Sequence, residues 1–222
     1  MKIFRELRIR GPHEQLERLI DDITAAMGQA WKRDTGQEHD LRPQIARQEM
    51  FCFVCMASPQ KRASELWLRL TYAQPNELYV SNIVPREVSS LSHDEYNSVL
   101  LEFYDRFVSQ AAAARGLTVE LGEAEVDLEH WLSPSAASQL RSFSGAANKS
   151  TGSSHPNDRE RWHRFIVSAH NENAPLDAST LARWLHEDGG WSESLASDLA
   201  IEYEQGRELL DSSEKFAHAG DH

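Results

Sequence analysis

Lys149, Ser150, Thr151, His155, Arg159 and Arg161 bring an ammonium, two hydroxyls, an imidazole and two guanidiniums into one short stretch of the chain. Their setting, RSFSGAANKSTGSSHPNDRERWHRFI (residues 141–166), is small and polar and opens into a helix pattern. Backbone amides at a helix start, helped by nearby cations, suit an anion. The chemistry expected of these six residues is therefore the binding of a phosphorylated small molecule or nucleotide. The spacing is not that of a phosphate-binding loop, which needs a second glycine just before the lysine. Gly145-Ala146-Ala147-Asn148-Lys149-Ser150 lacks it, and no strand pattern precedes it. A purely structural role is the competing expectation. The Ser and Asn side chains would cap helices, and the arginines would pair with the acidic segment 172–204.

Four neighbouring residues suit a protein partner instead. Tryptophan and arginine are the usual anchors of interfaces. Trp162, Arg164, Trp184 and Trp191 lie in the C-terminal half, where four of the six tryptophans gather.

Other chemistries find less. Cys52 and Cys55 form C-x-x-C within an apolar strand pattern, and positions three apart on a strand point to opposite faces. They cannot share a metal, and no second cysteine pair exists to complete a zinc site. His163 and His170 are seven apart, about 10 Å along a helix, too far for one ion. There is no H-E-x-x-H and no G-x-S-x-G, and serines beside His155 do not make a triad by adjacency. The expectation is no metal, no cofactor and no catalytic residue: a protein that acts by binding, not an enzyme.

The elements that would position these residues fall into two groups. Residues 2–10 alternate as a strand, with Ile3, Leu7 and Ile9 on one side. A helix follows Pro12, with Leu16, Leu19, Ile20, Ile23 and Met27 as its stripe, fading near Trp31 into a loop over 33–46. Residues 49–57 read as a strand covered on both faces. Residues 65–73, with Leu66, Leu68, Leu70 and Tyr72 on one side, pair with 77–84 across a Gln74-Pro75-Asn76 turn. Ser92 and Glu95 form a capping box for a helix running to about Arg115, stopped by Gly116, and 117–121 make a last strand. The order is β-α-β-β-β-α-β: an α+β sandwich with an antiparallel or mixed sheet and its helices on one face.

After Gly122 the pattern is helical. Ser133-Pro134 opens a helix to about Phe143, a polar loop spans 142–157, and a helix runs from Pro156 to His170. Asp177 caps a third, ended by Gly189-Gly190, and Ser192 a fourth with Leu195, Leu199 and Tyr203. The expected domains are 1–122 (α+β sandwich), 123–213 (all-helical) and a flexible tail, 214–222.

Charge separates the halves. Of the net −12, residues 1–122 hold −2 and residues 123–222 hold −10, while 141–164 is locally +3. An acidic body argues against nucleic-acid binding, which depends on phosphate neutralisation, and admits a basic protein partner. No run approaches the ~20 apolar residues that span a bilayer, the N-terminus has no leader-like apolar core, and two cysteines build no disulfide framework. The function expected is a cytoplasmic protein–protein interaction module, an acidic adaptor or an immunity- or antitoxin-like inhibitor. The alternative is an enzyme or sensor holding a phosphorylated ligand at 144–164.

Overall fold

The computed structural model of the chain describes residues 1–41, 48–56, 62–71 and 73–219. The fold is α+β, and it divides into two compact units. One comprises Lys2–Glu125; the other is formed by the chain from Val126 together with Met1.

The first unit is built on a six-stranded, wholly antiparallel sheet. Its elements in chain order are β1 (Leu7–Arg10), α1 (His13–Ala26), β2 (Trp31–Arg33), α2 (Thr35–Leu41), β3 (Gln48–Cys55), β4 (Ser64–Thr71), β5 (Gln74–Pro85), α3 (His93–Phe103), α4 (Ser109–Ala114) and β6 (Thr118–Leu121). The strand order is β2-β3-β4-β5-β1-β6. The expected stripe of α1 is buried at Leu16, Leu19, Ile20 and Ile23, and shares one core with Phe53, Leu66, Leu68, Val99, Leu100 and Phe103. Cys55 belongs to that core, whereas Cys52 lies with Val54 and Trp67 in a separate cluster, so the two thiols do point to opposite faces. Burial pushes the Cys52 thiol up to about 12, which leaves it without thiolate character near neutrality.

Several boundaries differ from the sequence pattern, each for a physical reason. The first strand begins at Leu7 rather than residue 2, because the buried Asn97 side chain accepts from Arg5 N (2.8 Å) and donates to Ile3 O (2.8 Å). Helix α1 ends at Ala26, and Trp31 starts a strand paired with Cys55; its indole donates to Glu102 at 3.0 Å. The stretch expected as loop over 33–46 forms α2 as far as Leu41; residues 42–47 lie outside the described ones. Asp34 caps this helix by accepting from Gln37 N (3.2 Å). Buried Glu38 then accepts from Cys52 N (3.0 Å) and from both arms of Arg33 (2.8 and 3.0 Å), so a side chain satisfies a backbone donor of β3. Strand β5 starts at Gln74, inside the expected turn; Tyr72, and Ala57 at the end of the β3 pattern, lie outside the described residues.

The capping box at Ser92 and Glu95 is formed in both directions (2.9 and 3.2 Å). The single helix expected from there to Arg115 is α3 and α4 joined by a π-turn at Tyr104–Val108. The wider turn inserts a residue into the helical period, so Phe103, Phe107, Val108 and Ala112 are all buried.

The second unit contains a 3₁₀ turn (Leu128–His130) and four helices: α5 (Pro134–Ala146), α6 (Pro156–Asn171), α7 (Ala178–Glu187) and α8 (Glu193–Ala219). Three starts carry the expected cap: Ser133 accepts from Ala136 N (3.2 Å), Asp177 from Thr180 N (2.8 Å) and Ser192 from Leu195 N (3.3 Å). Helix α5 continues to Ala146, so the polar loop is confined to residues 147–155 instead of 142–157. Helix α8 continues to Ala219, so the stretch from 214, expected as a flexible tail, is helical that far. Among the described residues no helix is long and apolar enough to cross a membrane.

Candidate functional site

The six residues expected to bind an anion separate into two sets. Lys149 turns back onto α5. Its Nζ donates to the carbonyl oxygen of Ser144 and to Ser144 Oγ (2.9 Å), and sits 4.1 Å from the centroid of the Trp191 ring. Ser144 Oγ also accepts from Trp191 Nε1 (3.0 Å), and Trp191 stacks on Phe143. Partial burial pushes the Lys149 ammonium down from its ordinary value. This lysine therefore closes the C-terminal end of α5, where carbonyls lack helical partners.

Thr151, His155 and Arg161 line an open depression with Asn148, Ser154 and Asp158; Lys149, Ser150 and Arg159 do not. Within it the polar groups largely satisfy one another. Thr151 N and Gly152 N donate to Asn148 O (both 3.1 Å), while Ser150 N and Oγ donate to the Asn148 side chain (2.9 and 2.8 Å). His155 caps α6 by accepting from Asn157 N (3.3 Å), so an imidazole nitrogen occupies the helix start an anion would use. Arg161 is held by the buried carboxylate of Asp158 at 2.8 Å, which offsets its charge. Arg159 donates to the Ser154 carbonyl at 3.5 Å.

The four expected partner anchors also divide. Trp162, Trp184 and Trp191 are buried in the helical core, and Arg164 is exposed in an i,i+4 pair with Glu160 (2.7 Å). Phe143, Trp162, Phe165 and Tyr203 continue the same aromatic stack. The tryptophans hold this unit together instead of facing outward.

The surface that does face outward with unfilled apolar groups lies between α6 and α8. The contacts advance in the same direction along both helices: Phe165 stacks on Tyr203 (5.5 Å) and the His170 ring reaches Glu214 (3.0 Å) and Asp211 (3.5 Å), while Ser153, in the loop before α6, donates to Glu202 (2.8 Å). Gly206 permits the close approach; a Cβ there would lie 3.0 Å from Ile166 Cγ2. Above that contact is a groove of about 420 Å³, lined by Trp162, His163, Ile166 and Val167 from α6, and Glu202, Gln205, Gly206, Leu209 and Leu210 from α8. That is far more room than a water needs. Leu209 is 71% exposed and Val167 42%. The buried Trp162 Nε1 has no acceptor among the described residues.

The inner face of α8 is closed by contrast. Tyr203 OH donates to Leu176 O (3.1 Å) and accepts from Arg207 (2.9 Å), which also bonds Ala174 O; burial pushes the phenol up. The sequence pattern passes over the groove because 202–208 reads as a solvated, Glu-rich face. The available signal was Leu209-Leu210 near the end of the expected helical domain and Phe216 within the stretch expected as a tail.

Among the described residues no group of three or more His, Cys, Asp or Glu could hold a metal ion. No family model matches the chain, and neither a curated protein nor a solved structure matches it.

Proposed function

We propose that the protein acts by binding another protein chain, as an adaptor or an inhibitor, with the α6/α8 groove as its docking surface. The observation that carries this is the pair Val167 and Leu209, exposed on either side of an apolar groove whose floor is the helical core. Each large apolar side chain left in water forgoes about 1.5–3 kcal/mol that burial would contribute, and an amphipathic helix laid into such a groove recovers it. The setting proposed is the cytoplasm, in keeping with only two cysteines and an acidic, moderately apolar composition.

The phosphate-binding reading draws less support. Lys149 is engaged by Ser144 and Trp191, and the depression that does gather Thr151, His155 and Arg161 also holds the buried Asp158 carboxylate.

The test is a photo-crosslinking amino acid placed at Leu209 in the full chain, with the same probe at the exposed Val88 of the first unit as control. The proposal expects a covalent adduct with a protein chain from position 209 and none from 88. No adduct from 209 would remove the groove as a docking surface.

A further inference from the structure

We infer that the chain seated on this groove is a basic amphipathic helix of another protein, with its apolar stripe on the groove and its cations along the flank that meets α8; this rests on the docking reading above. Both walls are helices, so an extended segment finds no strand edge there to add to, and a helix is the element that fits. The lined part of α8 runs from Glu202 to Leu210, eight steps or about 12 Å along its axis. Apolar anchors at i, i+3 and i+7 of a docked helix span about 10.5 Å, which matches that length.

Charge selects the kind of helix. Between Glu193 and Ala219, α8 carries seven carboxylates against two cations, Arg207 and Lys215. Arg207 is turned to the closed inner side, where it bonds Ala174 O and Tyr203 OH. Three lines of residues succeed one another around α8. Gly206 and Leu210 turn to their own unit, Gln205 and Leu209 line the groove, and Glu204 and Glu208 stand beyond them in solvent. Glu202 is engaged by Ser153, and Asp211 and Glu214 by His170. The carboxylates of Glu204 and Glu208, by contrast, meet no partner among the described residues. On α6, two of the three arginines are offset by neighbours, Arg161 by Asp158 and Arg164 by Glu160. The unmet charge beside the groove is therefore negative and lies on the α8 side.

Lysine and arginine suit that flank, because their stems rest on apolar surface while their heads reach outward to the carboxylates. Exposed ion pairs add little affinity each; they decide which helix docks and which way its flank lies. The affinity itself comes from the apolar stripe that covers Val167 and Leu209. A second copy of this chain, at net −12, brings the opposite sign to the same flank.

Two labelled model peptides, titrated with the full chain and followed by fluorescence anisotropy at about 0.15 M salt, test this. Both are helices of about 18 residues with leucines on one stripe. One carries lysines along its flank and the other glutamates. The expected result is saturable binding of the lysine peptide, roughly tenfold tighter than the glutamate peptide. Leu209→Ser should weaken the lysine peptide by roughly tenfold through lost apolar burial, whereas diffuse attraction to an acidic protein would not respond. The doubly substituted chain Glu204→Lys, Glu208→Lys should invert the preference between the peptides. Circular dichroism should be unchanged in both variants, since all three positions are exposed. Equal binding, a preference for the glutamate peptide, indifference to Leu209→Ser, no inversion, or no binding of either peptide overturns the inference. The docking reading fails separately. A crosslinking probe at Leu209 that captures a second copy, giving an adduct of twice the chain mass, keeps the groove as a docking surface and loses the basic helix. A probe there that captures nothing removes both.

Discussion

The loop at 147–155 and the groove between α6 and α8 belong to one helical unit and stand in opposite relation to their surroundings. The loop is rich in polar groups, and those groups are bonded within it or to the helices beside it: Ser150 to Asn148, Ser154 to Thr151, Ser153 to Glu202 on α8, and Lys149 to Ser144 on α5. The groove has few polar groups and two apolar side chains, Val167 and Leu209, with one flank in water. Residue types capable of chemistry thus mark where the unit is already satisfied, and an undistinguished Glu-rich helix face marks where it is not. A site is better located by unmet interactions than by conspicuous side chains.

The largest expected effect tests the first half of that contrast. If Lys149, Ser144 and Trp191 form a structural node, Trp191→Ala should cost about 3–5 kcal/mol of stability, the range for truncating a large buried aromatic. Trp191 is 2% exposed, stacks on Phe143 and donates to Ser144. Urea unfolding followed by far-UV circular dichroism would read it, and a loss below about 1 kcal/mol would show the node to be incidental. Lys149→Ala comes next, at about 1–2 kcal/mol for a bonded, ring-stacked ammonium. Were Lys149 instead held ready for an anion, its removal would leave stability unchanged or raised, and sulfate would stabilise the natural chain but not the variant.

What the sequence revealed follows the same line between local and distant causes. The α1 stripe, the capping pairs at Ser92, Ser133, Asp177 and Ser192, and the opposed faces of Cys52 and Cys55 depend on spacing within a few residues, and each was legible. Helix α2 was not. Its sequence TGQEHDL has one leucine and a glycine, and it is anchored through Glu38 to Cys52 N, fourteen residues away. The late start of β1 depends on Asn97, more than ninety residues distant. The groove also needs distant information, since Gly206 on α8 leaves room for Ile166 on α6, where a Cβ would crowd it. The adjacent Leu209 and Leu210 look alike in the sequence, yet the first is exposed and the second partly buried against the core.

The groove half of the contrast predicts small effects on folding. Leu209→Ser should change the stability of the dilute chain by less than about 0.5 kcal/mol, as expected for a surface substitution, because its side chain is already 71% exposed. A loss above about 2 kcal/mol would mean that Leu209 belongs to the core of its own unit, and the contrast with Trp191 would collapse.

The smallest effect concerns a polar contact at the head of the 141–166 stretch. Arg141 grips Glu129 with its two terminal guanidinium nitrogens and holds that carboxyl well below its ordinary 4.5, at about 2. A carboxyl lowered in the folded state contributes stability that is fully present above its unfolded value and is lost as pH falls through the folded one. The natural chain should therefore exceed Glu129→Gln in urea midpoint by a small, constant margin above about pH 4.5, and that margin should close between pH 4.5 and 2. Both partners are solvent-exposed, and exposed pairs contribute little, so the margin itself is modest. Its pH dependence is the sharper readout. A margin that persisted at pH 2 would mean the glutamine acts by something other than loss of charge. No margin at pH 7 would mean that even a two-pronged ion pair adds nothing here, leaving the polar half of the contrast to rest on the buried Ser144, Lys149 and Trp191 contacts alone.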